Sequence, residues 1–201
     1  MELRPLTLAD LEAATEVQSA AFQDDPLWVY LYPDVERRKR LLRKTFVRAL
    51  RLGILSEQAY GIGEPLEGLA LWSAPNDSTP IAAVLRSGLW QMLFVPAFMA
   101  SLPRAIPIFS RFESMQKRYA PEPHYYLQTI SVAPRAQGKG LASRLIRPFL
   151  MKADAERVSV YTETMTPSNV GLYEHYGFRT VEQYDVPGQD LHVWGFYRPV
   201  Q

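Results

Sequence analysis

Apolar residues recur along this chain at two periods, and the switches between them mark most of its elements. Residues 3–6 read as a short strand. Over 8–22 the spacing of Leu11, Ala14, Val17 and Ala21 gives one apolar helical face, with Thr7 placed to cap it. Gln23-Asp24-Asp25-Pro26 breaks that period. A second helix is expected over 35–52, with Leu41, Leu42, Phe46 and Leu50 inward. Its basic residues Arg37, Arg38, Arg40, Arg43, Lys44, Arg48 and Arg51 fall mostly outward. Residues 53–56 and 66–72 read as two strands joined through a turn that holds Gly61, Gly63 and Pro65.

The stretch 78–119 is apolar and Met-rich, with prolines at 80, 96, 103 and 107, which predicts three short helices. Its longest apolar run, 88–102, is shorter than the ~20 residues of a bilayer span and holds Pro96, so a buried or lid-forming helix is expected. Beyond it the pattern alternates: strand 125–132, helix 139–154, strand 157–163, helix 168–176, then strands 178–186 and 191–198. Pro148 should kink the second-last long helix. Such alternation, closed by a strand pair, points to an α/β (mixed α+β) fold with a mixed sheet and helices on its faces. One domain over 1–201 with a helical insert at about 75–120 accommodates all of it.

Composition narrows the function classes. A net charge of +1 argues against a nucleic-acid binder, and the basic 37–51 helix lacks interleaved aromatics. Zero cysteines remove any disulfide framework, thiolate nucleophile or zinc ribbon. His124, His175 and His192 follow no metal-ligand spacing, so no metal is expected. No apolar run of signal-peptide length opens the chain. A cytoplasmic protein, with no membrane partner, is the expectation.

The chemistry is concentrated at Arg135-Ala136-Gln137-Gly138-Lys139-Gly140-Leu141-Ala142-Ser143, between a strand and a helix. Two glycines two apart bend the backbone tightly, and the free N–H groups of the following helix favour a phosphate. The spacing matches neither a Walker loop nor, closely, the dinucleotide fingerprint. A second candidate is Glu163, ending the apolar strand Val158-Ser159-Val160-Tyr161-Thr162 where ligands gather in α/β folds. It is either a base or a residue that orients Asn169 or pairs with an arginine. Asp24 and Asp25 either draw a cationic amine, beside Trp28, or form the turn before Pro26.

Arg-x-x-Gly-x-Gly after Ser131-Val132-Ala133-Pro134, with Tyr173-Glu174-His175-Tyr176-Gly177-Phe178 downstream, resembles the GNAT family of N-acetyltransferases. The opening at 3–10, the segment 21–26, Glu163 with Asn169 and the stretch 185–188 are nearest in pattern to puromycin N-acetyltransferase-like members. The likeness is continuous over about 124–198, patchy over 2–60 and absent between about 75 and 120.

The resemblance implies a GNAT fold, a twisted mixed sheet of six to seven strands with one splayed pair. It implies acetyl-CoA as cosubstrate, its diphosphate held by Arg135 and residues 137–143. Ile130 and Val132 would pair with the pantetheine arm through their backbone, and a backbone N–H near Val132 would meet the oxyanion. Asn169 would bond the arm. Tyr173 matches the tyrosine that protonates the departing thiolate; a phenol stays protonated at neutral pH and can serve as that acid. The expected activity is transfer to the primary amine of a small molecule by a monomer or homodimer. A protein N-terminus or lysine as acceptor, and a non-catalytic acetyl-CoA sensor, are the alternatives.

Overall fold

A computed structural model describes residues 2–77 and 79–201. The chain starts with strand β1 (Arg4–Pro5), a 3-10 turn over Leu8–Asp10 and helix α1 (Leu11–Ala21). Helices α2 (Pro26–Leu31) and α3 (Val35–Leu55) follow, then strands β2 (Ala59–Ile62) and β3 (Gly68–Ser73). The next stretch is helical: α4 (Ile81–Ser87), a 3-10 segment over Leu89–Phe94, α5 (Pro96–Met99) and α6 (Leu102–Tyr119). Strand β4 (His124–Val132), helix α7 (Leu141–Glu156), strand β5 (Ser159–Thr164), helix α8 (Val170–His175) and strands β6 (Arg179–Asp185) and β7 (His192–Arg198) come last.

The seven strands form one sheet in the order β1-β2-β3-β4-β5-β7-β6. Every pairing is antiparallel except β4 with β5, so the sheet is mixed, as expected. Helices cover both faces because alternate strand residues point opposite ways. On one face Trp72 of β3 stacks on Phe149 of α7 with ring centroids 4.6 Å apart. On the other, Leu71 packs so closely on α3 that a Cβ at Gly53 would lie 2.6 Å from it. A second apolar cluster joins Leu31 of α2, Ile108 and Met115 of α6, and Tyr161 and Val193 of β5 and β7. That cluster seats the proline-rich segment over the β5–β7 half of the sheet.

Four expectations change. Residues 53–55 are the end of α3, with Ser56 as its cap, rather than a strand, because the apolar face of the helix continues through the buried Gly53. The strand begins only after Glu57, whose φ of 58° turns the chain. Residues 26–31 form the helix α2, capped by Asp25, where the sequence shows only a break. The third helix of the proline-rich stretch is long: Pro103 sits in the first turn of α6, where no backbone donor is needed, and Pro107 is absorbed inside it. Pro148 lies inside α7, as read from the sequence. The reading of 78–119 includes Ser78, which lies outside the described residues. Arg38 is buried, not outward, and donates to the carbonyls of Gln23, Tyr32 and Pro33 at 2.7, 2.8 and 3.1 Å.

Candidate active site

Strands β4 and β5 pair only over His124↔Ser159, Tyr125↔Val160 and Tyr126↔Tyr161, and then diverge. At the fork the Thr162 hydroxyl donates to the Leu127 carbonyl at 2.9 Å. On its other edge β4 stays paired with β3, through a bulge that puts Leu127 and Thr129 opposite the adjacent Trp72 and Leu71 and leaves Gln128 out of register. The bulge adds local bend and twist, which parts the strand from β5. Beyond Leu127, β4 therefore offers one edge of extended backbone that no strand of the sheet uses.

That edge runs into the glycine loop. Gly138 and Gly140 adopt φ of 75° and 74°, the left-handed region that side chains avoid. A Cβ on either would meet no protein atom within 4 Å, so the glycines are not demanded by packing. Gly140 caps the 16-residue helix α7. Among the described residues, no acceptor bonds the backbone N–H groups of 138–143; the first amide of the turn with a partner is that of Arg144, on the Gly140 carbonyl at 3.4 Å. Six adjacent free donors at the positive end of a long helix make a place that favours negative charge. Lys139 is exposed beside it. The Gln137 side chain reaches back to the Val132 carbonyl at 3.3 Å. Arg135 reaches the Leu66 carbonyl at 3.5 Å and borders a groove against α1.

A cavity of about 380 Å³ opens at the fork. Its walls come from β4 and β5, from Trp28 of α2, Phe46 of α3, Phe109 and Phe112 of α6, and from Tyr173 of α8. The apolar 88–119 region, which the sequence suggests as a wall of the acceptor site, thus closes one side of it together with Trp28. Trp28 and Phe46 meet edge-on at 5.1 Å and Phe109 and Phe112 at 5.9 Å, which makes this side of the lining aromatic.

Glu163 is the electrostatic centre. Burial raises its carboxyl pKa to about 8, although the Tyr126 hydroxyl donates to its Oε2 at 2.9 Å and favours the charged form. Its Oε1 and the nearby Tyr161 hydroxyl are both buried without a hydrogen-bond partner. Burial and the charge of Glu163 push the Tyr126 and Tyr161 phenols well above the ordinary tyrosine value. The Tyr173 ring is buried against Phe178 and Phe196, at 5.6 and 5.2 Å. Burial lifts its pKa to about 12, offset in part by the Thr162 hydroxyl, so the phenol is protonated at neutral pH.

Glu163, Tyr173, Asn169, Asp25, Trp28 and Ile130 all border this one cavity. Asn169 donates to the Thr164 hydroxyl at 3.1 Å, which fixes the turn into α8. Asp25 both caps α2, through the Leu27 amide at 3.1 Å, and accepts from Thr166 at 3.2 Å. Asp24 stands apart: it is exposed, pairs with Arg38 at 3.7 Å and does not line the cavity. Tyr126 is absent from the reading of the sequence. The only signal for it is the Tyr125-Tyr126 doublet, in which alternation sends one ring to α7 and the other to the cavity; strand register then decides that the second meets Glu163. Among the described residues no group of His, Asp and Glu is placed to hold a metal ion, and no helix is long and apolar enough to cross a membrane.

Residues 56–178 match the acetyltransferase (GNAT) family. The chain is similar to an uncharacterized N-acetyltransferase of Schizosaccharomyces pombe, 27% identical over 89% of this chain and 74% of that protein. Its fold is similar to a structure described as histone acetyltransferase HPA2 and related acetyltransferase, from Corynebacterium glutamicum, with a TM-score of 0.67 and 22% identity over 100% of this chain and 96% of the other. It also resembles arylalkylamine N-acetyltransferase 2 of Aedes aegypti, with a TM-score of 0.66 and 14% identity over 100% of this chain and 99% of the other. At these identities the solved structures speak for the fold alone. The family match spans more than half of the chain, and the chain therefore belongs to the GNAT family and is an N-acetyltransferase.

Proposed function

We propose that the chain moves an acetyl group from acetyl-CoA directly to the primary amine of a small molecule. The observation that carries this reading is the cavity at the β4–β5 fork, which borders the free strand edge and holds a high-pKa carboxylate and a protonated phenol together. Its volume falls in the range of small-ligand sites, and α2 and α6 close the side where an extended peptide would need an open groove. The likeness to puromycin N-acetyltransferase-like members, carried by 3–10, 21–26, Glu163 with Asn169 and 185–188, favours the same kind of acceptor. A chain without cysteine, using acetyl-CoA, suits the cytoplasm and one direct transfer step.

In this reading the six free amides of 138–143 grip the diphosphate, with Arg135 and Lys139 adding positive charge. The backbone of Ile130 and Val132 pairs with the amides of the pantetheine arm as an added strand would, and Asn169 holds its end. An ammonium in the cavity must lose a proton before it can attack. The Tyr126 oxygen takes that proton as its own passes to Glu163 Oε2, already 2.9 Å away. The amine lone pair then forms the C–N bond at the thioester carbonyl. A backbone N–H near Val132 meets the negative charge on the carbonyl oxygen. The C–S bond breaks and Tyr173 gives its proton to the sulfur. The nitrogen of the new C–N bond loses its second proton to solvent and becomes a neutral amide. Solvent then returns one proton to Tyr173 and takes one from Glu163, so that one proton is released overall. The groups of this chain end as they began.

Two measurements test the scheme. Incubation with acetyl-CoA and a panel of amines should release free CoA, whereas a sensor module would bind acetyl-CoA and release none. Tyr173→Phe should lower kcat by about 10- to 100-fold, at the low end of general-acid effects because a thiol is already a good leaving group. Full turnover in that variant removes Tyr173 from the chemistry. Gly140→Ala tests the cradle separately. The left-handed backbone there costs a side chain about 1 kcal/mol, yet its Cβ meets no protein atom. The expected outcome is a KM for acetyl-CoA raised roughly tenfold with a Tm lowered by only a few degrees. An unchanged KM would show that the loop is merely a turn.

A further inference from the structure

The proline-rich segment turns several large apolar side chains outward. Ile81 and Leu85, one turn apart on α4, are 79% and 63% exposed. Trp90 stands beside them, its indole N–H donating to the Leu85 carbonyl at 3.3 Å. Phe94, 76% exposed, meets the Trp90 ring edge-on with centroids 6.1 Å apart. Leu93 between them is exposed as well. None of these side chains lines the cavity at the fork or the groove against α1. Single exposed apolar residues are ordinary, but a joined row of them marks an interaction surface.

Charge says what covers it. From 78 to 112 the chain carries no Asp or Glu, and its charged residues there are Arg86, Arg104 and Arg111. The row also abuts the outer side of α3, where Arg48 donates to the Gln91 side chain at 3.2 Å. Arg37, Arg40, Lys44, Arg48 and Arg51 recur at intervals of three or four residues and so share one stripe of that helix. Among the described residues none of the five pairs with a carboxylate. Glu36 of α3 and the neighbouring Glu12 pair instead with Lys39 and Arg43.

An apolar row edged with uncompensated cations matches the boundary of an anionic bilayer, which takes apolar side chains below its headgroups and cations among them. A second copy seated face to face would bring the same cations and no acid to meet them. A nucleic acid offers phosphates, yet the aliphatic Ile81, Leu85 and Leu93 cannot stack on its bases. We infer that this face binds the surface of an anionic membrane, with Leu85, Trp90 and Phe94 inserted at the headgroup level and α3 supplying the charge. Surface binding needs no spanning segment, so the shortness of the 88–102 run does not oppose it. Membrane docking by this face is also independent of which amine the cavity takes.

The test sediments the full chain with phosphatidylcholine vesicles that contain either no phosphatidylserine or about one-third of it. Each basic residue close to an anionic surface strengthens binding about fivefold, so the serine-lipid vesicles should bind more tightly by roughly tenfold or more. Raising the salt to ~0.5 M should weaken that binding severalfold, since the charges are then screened within a few Å. Leu85→Ser combined with Phe94→Ser should lower affinity for the anionic vesicles by about tenfold or more, while acetyl-CoA binding stays the same. Trp90 is exposed while Trp28, Trp72 and Trp194 are not. Bromine-labelled lipid should therefore quench Trp90 emission, and Trp90→Phe should remove most of the quenching. Equal binding to both vesicle types, or binding to neither, overturns the proposal, as does full binding by the double variant. A dimer that the double variant disrupts, or retention of an RNA homopolymer in place of vesicles, names a different occupant and overturns it too. If the double variant does not fold, quenching decides: wild type bound to the brominated vesicles with undiminished Trp90 emission sinks the proposal.

Discussion

Glu163→Gln should lower kcat/KM for the amine by roughly 100-fold at alkaline pH, within the range of a lost general base, and abolish the acid limb of its pH profile. In the wild type the carboxyl has a pKa of about 8, so kcat/KM should climb nearly tenfold per pH unit below that value and level off above it. The glutamine cannot titrate, and its profile should be flat through that range. A wild-type profile already level from pH 6 would remove Glu163 as the base. The same substitution should stabilise the protein. The folded pKa is raised above the ordinary glutamate value of 4.5, so between about 4.5 and 8 the native state keeps a proton that the unfolded chain has released. Stability is thus lost progressively as pH rises through that window, and the loss is complete above it. Each unit of displacement is worth ~1.4 kcal/mol; discounted for water reaching the cavity, roughly 2 kcal/mol should separate variant from wild type at pH 8 and little at pH 4.5. Denaturant unfolding at the two pH values measures the difference. Activity and stability are expected to move in opposite directions, as for a group held in an unfavourable state for its chemistry.

Arg198→Met should have the largest effect on the fold itself. The Arg198 guanidinium is buried and makes a two-pronged pair with Asp154, at 2.7 Å on each arm, while its Nε donates to the Tyr176 carbonyl at 2.9 Å. One side chain therefore fastens the end of β7 to α7 and to the turn after α8. Removing it strands an inward carboxylate and a carbonyl; a buried pair broken in this way costs about 3–5 kcal/mol, and here the low end is expected because Asp154 is 28% exposed. For a chain of this size about 3 kcal/mol corresponds to a Tm lower by roughly 6–12 °C. The Arg198 bond holds the Asp154 carboxyl below its usual range. Its stabilisation is accordingly present above the unfolded value, near pH 4, and is lost as pH falls through the lower folded value. Wild type and variant should converge in stability under acid conditions. A gap that persists undiminished at low pH would mean that packing, not the ion pair, carries the effect.

The positions read best from sequence are those whose signal is local. Gly138 and Gly140 announce themselves because only a left-handed turn at a helix start needs both. The strands from 124 onward fall where alternation places them, within two residues at their ends. Where two local signals compete, tertiary packing decides: residues 53–56 look β-like, yet Gly53 and Leu71 pack together and the helix runs on. In the same way prolines at 103 and 107 suggest interruption, but a proline in a first helical turn interrupts nothing.

The sequence by itself determined the mixed α/β class, the paired-glycine turn at the start of α7 and the positions of two titratable groups, Glu163 and Tyr173, because each rests on residue identity and short-range spacing. Only the tertiary structure decided that Tyr126 bonds Glu163, that Asp25 faces the cavity while Asp24 faces solvent, and that Phe109 and Phe112 are the rings by which α6 reaches the site. Those facts depend on strand register and on helices packed across the sheet from residues dozens of positions away. A burial-driven pKa is likewise a property of everything around a carboxylate, and no single stretch of chain encodes it.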